Sequence, residues 1–254
     1  MAPKILIYFV ILNVILCCCQ GKIDVDKYLK TCDRTSPEVN ECMLEAVVDG
    51  LQRLCDGVPE LGVPPIDPYH QEEIKVDYKN NQIVAKMVMK NVYVYGMKNA
   101  KIHDARLKAD EDRFHLEIDL TSPKIVVTGD YHGEGRFNAY KVNATGQFNT
   151  TMHDLVYTWK LDGKPEKRGD DTFVKITSFY MRPDVGELHT HASGIFPDNP
   201  ELTELANSFA NQNWRIMYRE MLPYAQANWN KIGVRVANKI FLKIPYNELF
   251  PAKL

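Results

Sequence analysis

Alternating hydrophobic and polar residues fill the middle of the chain, from about residue 73 to residue 194. The clearest stretch is RFHLEID, where Phe114, Leu116 and Ile118 alternate with charged residues and a histidine. A period of two places successive side chains on opposite faces of a β-strand. Comparable segments follow near residues 124–131, 136–142, 146–161 and 172–182, separated by clusters such as LDGKPEKRGDD. Since no helical pattern intervenes, the chain predicts an antiparallel sheet with one dry face.

The C-terminal region changes to a helical period. Apolar residues recur at steps of three and four from about Glu201 to Phe241, and they are Leu202, Leu205, Ala206, Phe209, Ile216, Met217, Ala225, Trp229, Ile232, Val236 and Ile240. We expect this face to cover the dry face of the sheet, with Pro223 as a bend; two helices broken at Pro223 are the alternative. A helix of about 60 Å is buried only if a strongly curved sheet wraps along it. The predicted fold class is therefore α+β.

The N-terminus has the pattern of a secretory leader. A charged start at Lys4 precedes an apolar block from Ile5 to Leu16, followed by small residues up to Gly21. This order is typical of a signal peptide. The block is shorter than the roughly 20 residues that a membrane-spanning helix needs. We expect residues 1–21 to be removed and residues 22–254 to form one secreted domain.

Three cysteines follow the leader. Cys32 and Cys42 flank the short polar loop DRTSPEVNE, and in an oxidising compartment we expect them to form a disulfide. Cys55 lies in a helical pattern and is expected to be a buried, inert thiol. A Cys42–Cys55 pair is the alternative that the sequence leaves open.

Two sequons, NAT at Asn143 and NTT at Asn149, predict N-linked glycosylation. A glycosylated Asn149 must face water. Alternation then turns Phe148, Thr150 and Met152 inward.

The inward positions suggest an adaptable apolar lining. In QIVAKMVMKNVYVYG, alternation places Met87 and Met89 opposite Lys86 and Lys90. Methionine and aromatic side chains often line cavities for apolar ligands, although filling a core is their commoner role. Strand parity adds tyrosines and a threonine as polar groups for a ligand's head. The predicted ligand-binding residues are Met87, Met89, Phe148, Thr150, Met152, Tyr157, Tyr180, Phe209, Met217 and Trp229.

Composition argues against several other classes. With 31 basic and 33 acidic residues the formal net charge is −2, so nucleic acid is not expected as a partner. The chain carries no H-E-x-x-H, G-x-S-x-G or phosphate-loop motif, and we expect no catalysis, no cofactor and no metal. His189 and His191, with His132 or Glu187, are the alternative as metal ligands; we favour solvated surface histidines.

Four motifs occur in order along the mature chain. They are the Cys32 and Cys42 pair, GVPELGVPPIDPY at 57–69, NQNW at 211–214 with Glu220 and Pro223 following, and IPYNELFP at 244–251. In this order they resemble the insect takeout and juvenile hormone binding protein family. The resemblance implies a long C-terminal helix wrapped by a highly curved antiparallel sheet, with an apolar tunnel between them. It also implies a carrier, without catalysis, whose tunnel opens near the Cys32–Cys42 loop.

These observations together predict a secreted, monomeric carrier. Its ligand is expected to be a small hydrophobic molecule such as a juvenile hormone-like terpenoid or a fatty acid, and no stable membrane insertion is expected. The alternative is an extracellular interaction or signalling module with a filled core and a protein partner.

Overall fold

The computed structural model describes residues 25–79, 83–137 and 140–252. Within these ranges the helices are α1 Val39–Leu54, α2 Pro200–Gln212, α3 Trp214–Phe241 and α4 Tyr246–Leu249. The strands are β1 Tyr69–Lys79, β2 Ile83–Tyr95, β3 Lys101–Ala109, β4 Phe114–Phe137, β5 Tyr140–Arg168, β6 Asp171–Met181 and β7 Asp184–Ala192. All seven strands form one antiparallel sheet. The predicted α+β class is confirmed. The predicted leader lies outside the described residues.

Two long strands organise the sheet. β4 and β5 have 24 and 29 residues and pair without a register shift from Phe114–Gly163 to Phe137–Tyr140. β3 and β2 pair with successive parts of β4, while β7 and β6 pair with successive parts of β5. β1 lies outside β2. Because each strand adds right-handed twist, strands this long curl strongly.

One row across the sheet interrupts the alternation of faces. In β4, Pro123 and Lys124 are both exposed, and in β5, Asp154 has a positive φ of 54°. At the same level the chain passes from β2 to β3 at Gly96, with a φ of 101°, and from β6 to β7. Irregular residues of this kind bend a strand and re-aim its side chains. We call the part of the sheet that contains β3 and β6 the core half, and the part that contains β1, β2 and β7 the hairpin half.

The core half is filled by side chains. Phe114, Leu116, Ile118 and Leu120 are all buried, as their alternation predicted. α1 packs on β3, and the C-terminal segment from Ile244 to Phe250 joins the same hydrophobic cluster. The predicted Cys32–Cys42 disulfide is present, and Cys55 is an unpaired buried thiol.

The C-terminal helical region is broken at Asn213 instead of at Pro223. α2 ends at Gln212 and α3 begins at Trp214, while Pro223 lies inside α3. The Asn213 side-chain amide donates to the carbonyl of Phe209 at 2.9 Å and so occupies an acceptor of the last turn of α2. Both the single bent helix and the break at Pro223 are therefore wrong in detail.

Three asparagines hold these helices against the outer strands. The Asn207 amide accepts from the Ala192 N–H at 2.9 Å and donates to its C=O at 3.0 Å. Asn211, the first residue of NQNW, does the same at Thr190, and Asn238 does so at Ile176. Each side chain thus supplies the donor and the acceptor that a further strand would have supplied to β7 or β6.

This arrangement overturns the expected role of the first half of the apolar stripe, whereas Val236 and Ile240 of the second half pack against the hydrophobic core as expected. Leu205, Phe209, Ile216 and Met217 are 63%, 62%, 55% and 43% exposed, so they do not cover the sheet. The physical reason is that α2 meets the backbone at the edge of the sheet. That edge offers N–H and C=O groups, which require polar partners.

Candidate ligand site

The inner face of the hairpin half brings five predicted residues together. Met87 and Met89 of β2 lie opposite Val76 and Ile74 of β1. Across β4 the same face continues through Tyr131 to β5, where it carries Phe148, Thr150 and Met152. The alternation that predicted these inward positions is confirmed, since Lys86, Lys90, Asn143 and Asn149 on the opposite face are exposed.

This face is turned toward α3. Tyr78, which shares the face with Val76, has its ring 5.5 Å from that of Tyr224. Farther along α3, the Arg235 guanidinium donates to the Tyr69 hydroxyl at 3.2 Å and to Gln71 Oε1 at 3.0 Å. One side of the helix therefore contacts the outermost strand, β1.

The other side of α3 contacts the opposite edge of the sheet. The Trp229 indole N–H donates to the carbonyl of Met181 at 2.9 Å, and the Tyr218 hydroxyl donates to that of Pro183 at 2.8 Å. Because one helix touches both edges, the sheet is curled around it. The expected wrapping of a C-terminal helix is confirmed.

Side chains do not fill the inner face of the hairpin half. Met87, Met89, Phe148 and Met152 are only partly buried, in contrast to the core half. A Cβ atom built at Gly133, opposite Met87, would meet no atom of the described chain within 4 Å. Open space therefore lies against an apolar wall.

Three polar groups lie on this wall. The hydroxyls of Thr150 and Thr190 are 2.8 Å apart, and the Tyr131 hydroxyl donates to the carbonyl of Ser193 at 2.9 Å. Burial raises the pKa of Tyr131, so its hydroxyl stays protonated. Thr190 and Tyr131 were not predicted. The sequence LHTHA could have indicated Thr190, because side chains alternate along a strand: if His189 and His191 face outward, Thr190 faces inward.

Two predicted tyrosines, Tyr157 and Tyr180, do not lie on the inner face of the hairpin half. Tyr157 is buried in the core half, with its hydroxyl 2.7 Å from that of Ser122, and burial raises its pKa. Tyr180 is 40% exposed and lines an outer cleft of about 390 Å³ with Lys160 and Arg182. Strict alternation from Phe148, Thr150 and Met152 would turn Lys160 and its partner Tyr180 inward. The row of irregular residues between the two halves shifts this parity, so Tyr180 is turned outward while Tyr157 is buried.

The three predicted ligand residues on the helices lie in different environments. Trp229 lies at the contact between α3 and β6. Phe209 and Met217 are exposed and do not face the strands from which they were expected to enclose a ligand. These two residues therefore do not line the inner face, for the reason given for the first half of the stripe.

The histidines of β7 lie on the outer face. His189 Nε2 is 3.3 Å from the Asn211 amide nitrogen, and His191 Nε2 is 3.4 Å from Glu204 Oε1. Over the described ranges, no three or more His, Cys, Asp or Glu residues cluster closely enough to hold a metal ion. None of the helices described is both long and apolar enough to span a membrane.

A helix enclosed by a curled sheet, with an incompletely filled apolar inner face, defines a class of proteins that bind hydrophobic ligands. A model of the haemolymph juvenile hormone binding protein family matches residues 11–251, and the chain belongs to that family.

The relatives are distant but match over most of their length. The chain is 20% identical over 226 residues to the circadian clock-controlled protein daywake of Drosophila yakuba, covering 87% of each chain. It is 21% identical over 227 residues to a Schistocerca gregaria protein named "Putative beta-carotene-binding protein", covering 89% of each. The crystal structure of takeout 1 from Epiphyas postvittana superposes with a TM-score of 0.72 at 21% identity, over 87% of this chain and 99% of that one. This last likeness establishes the fold.

Proposed function

We propose that this protein is a secreted, monomeric carrier that sequesters a small hydrophobic molecule between the hairpin half of the sheet and α3. The open space at Gly133, against a wall of methionines and aromatic residues, is the observation that carries the proposal. Membership of a hydrophobic-ligand carrier family supports it. The ligands we favour are a juvenile hormone-like terpenoid or a fatty acid, and the name of the Schistocerca relative adds carotenoids.

The driving force is removal of the ligand from water. A ligand that buries about 400 Å² of apolar surface gains up to roughly 10 kcal/mol before the costs of association. Met87, Met89, Phe148 and Met152 supply flexible, polarisable contacts, which suit ligands of several shapes. Thr150, with its partner Thr190, would bind the polar head of the ligand.

We place the entrance in the hairpin half. The end near the Cys32–Cys42 loop, where the family resemblance suggested it, is closed by packed side chains. Cys32 and Met43 are buried there, and Arg34 donates to the carbonyl of Phe250. Opening that end would expose the most completely buried part of the protein.

Secretion and glycosylation belong to the same proposal. The Cys32–Cys42 disulfide suits an oxidising compartment, and a haemolymph family agrees with export. Asn143 and Asn149 are exposed on the outer face, so glycans at both sequons would leave the inner face free. A shift in mass after enzymatic deglycosylation of the secreted protein would test this.

The first experiment is native mass spectrometry of the secreted protein, followed by solvent extraction and identification of what is released. A stoichiometric apolar molecule would establish the carrier. An empty protein that also fails to bind a fluorescent fatty-acid probe would contradict the proposal and favour an interaction module with a filled core.

A matched pair of variants locates the ligand. Gly133→Phe places a ring in the open space of the inner face, and Glu134→Phe places the same ring on the exposed outer face of the neighbouring position. We expect Gly133→Phe to weaken probe binding by tenfold or more, about 1.4 kcal/mol, and Glu134→Phe to leave it unchanged. If the Gly133→Phe and Glu134→Phe variants bind the probe with equal affinity, the ligand binds elsewhere.

A further inference from the structure

The exposed apolar face of α2 continues onto α3. Leu202, Leu205 and Phe209 recur along α2 at steps of three and four, and Ile216 and Met217 follow after the break at Asn213. The same helix buries Asn207 against β7 and Thr203 against the backbone of Phe196, in the segment between β7 and α2. α2 therefore presents its apolar side to the outside and its polar side to the protein, opposite to an ordinary surface helix. We call the five apolar residues the α2 face.

The size of the α2 face shows what can cover it. From their exposed fractions, the five side chains present roughly 500 Å² of apolar surface, near the upper end of the largest patch on a typical monomer. A stable protein interface buries about 800 Å² on each partner. The α2 face alone falls short of that area, but its shape, a narrow stripe along helices lying on the surface, is that of an interfacial membrane helix.

The charges beside the stripe indicate the kind of surface. Glu201, Glu204 and Glu220 are exposed on these helices, as are Arg215 and Arg219. Opposite charges are nearly balanced here, and the net charge of the whole chain is −2. Lys231, Arg235 and Lys239 lie farther along α3, beyond the stripe. The stretch from residue 201 to residue 220 therefore carries no basic patch suited to anionic lipids, and a zwitterionic surface fits best.

We propose that the α2 face docks this protein on a zwitterionic phospholipid surface, where the apolar side chains enter the headgroup boundary and the protein exchanges its ligand. The assignment of exchange rests on the proposed carrier function, but docking itself does not. The helices lie on the lipid and do not span it.

The test uses the full mature protein and vesicles of pure phosphatidylcholine in a flotation assay. The variant Leu205→Ser/Ile216→Ser removes the two most exposed aliphatic side chains of the α2 face, one from each helix. Its matched control is Val48→Ser/Val156→Ser, which removes exposed valines from α1 and β5. We expect the first variant to lose vesicle partitioning by tenfold or more, and the control to behave like the unmodified protein. Raising the salt to 0.5 M should not release the protein, because apolar burial drives the contact.

Each outcome decides the proposal. Failure of the unmodified protein to float, or equal flotation of both double variants, overturns it. An unmodified protein that is dimeric by light scattering, and monomeric only in Leu205→Ser/Ile216→Ser, also overturns it and assigns the face to self-association. Binding of a fluorescent fatty-acid probe without vesicles is measured in parallel. If neither the unmodified protein nor either double variant binds the probe, that result counts against the carrier function. Flotation would still decide docking.

Discussion

Asn207 offers the sharpest test of how α2 is held on the sheet. Its side chain is 5% exposed and makes two hydrogen bonds to the backbone of Ala192, at 2.9 and 3.0 Å. The substitution Asn207→Ala removes both bonds and leaves the N–H and C=O of a strand edge without their partners.

The magnitude follows from these two bonds. At about 0.5–1.5 kcal/mol each, their loss lowers the free energy of unfolding by about 1–3 kcal/mol. Alanine is the better helix former and returns about 0.5 kcal/mol. We therefore expect a net loss of about 0.5–2.5 kcal/mol for Asn207→Ala. Asn207→Asp should also destabilise the protein, because it keeps the acceptor but places a carboxylate beside the Ala192 carbonyl.

The assay is urea unfolding followed by circular dichroism, with the midpoint compared at constant slope. Gln212→Ala is the control, since Gln212 is an exposed amide of the same helix. If Asn207→Ala proves no less stable than Gln212→Ala, the paired bonds do not hold α2 in place. A faster rise in light scattering for Asn207→Ala would further indicate that the strand edge had become available for pairing.

Three further predictions concern groups in other parts of the fold. Hydrogen bonds from Lys160 and then Arg106 lower the pKa of Glu117 from 4.5 to about 2, so its contribution to stability is complete above pH 4.5 and is lost toward pH 2. Urea unfolding at several pH values should find Glu117→Gln less stable than the unmodified protein at pH 7, with a gap that closes over this window; a constant gap would contradict this. Burial raises the pKa of the Cys55 thiol, so a thiol reagent at pH 8 should modify the mature protein only after urea is added; rapid modification of the folded protein would show an accessible thiol. A Cβ at Gly135 would lie 2.7 Å from the carbonyl oxygen of Val84, so Gly135→Ala should cost about 1–3 kcal/mol in thermal unfolding, while Gly133→Ala should cost nothing measurable; equal losses would refute the open space.

The local sequence determined that strands fill the middle of the chain and which faces they present within a regular stretch, although the predicted segment 136–142 crosses the boundary between β4 and β5. It favoured the Cys32–Cys42 disulfide but left a Cys42–Cys55 pair open, and the structure contains the first. Phe114 and Leu116 are buried, and Met87 lies opposite the lysine face, because a period of two is a property of the extended backbone itself. The motifs spread along the chain also identified the family, since they needed only their order and spacing. Five of the ten predicted ligand residues lie on the predicted inner face for the same reason.

Only the tertiary structure decided the rest. The parity shift at Pro123 and Asp154 turned Tyr180 outward, because an irregular residue resets which face a strand presents. The sequence also indicated that α2 is amphipathic, but not which side faces the sheet. A helix over the face of a sheet buries its apolar side. A helix along the edge, as here, must satisfy the backbone N–H and C=O groups of β7, so Asn207 and Asn211 are turned inward and Phe209 is left outside.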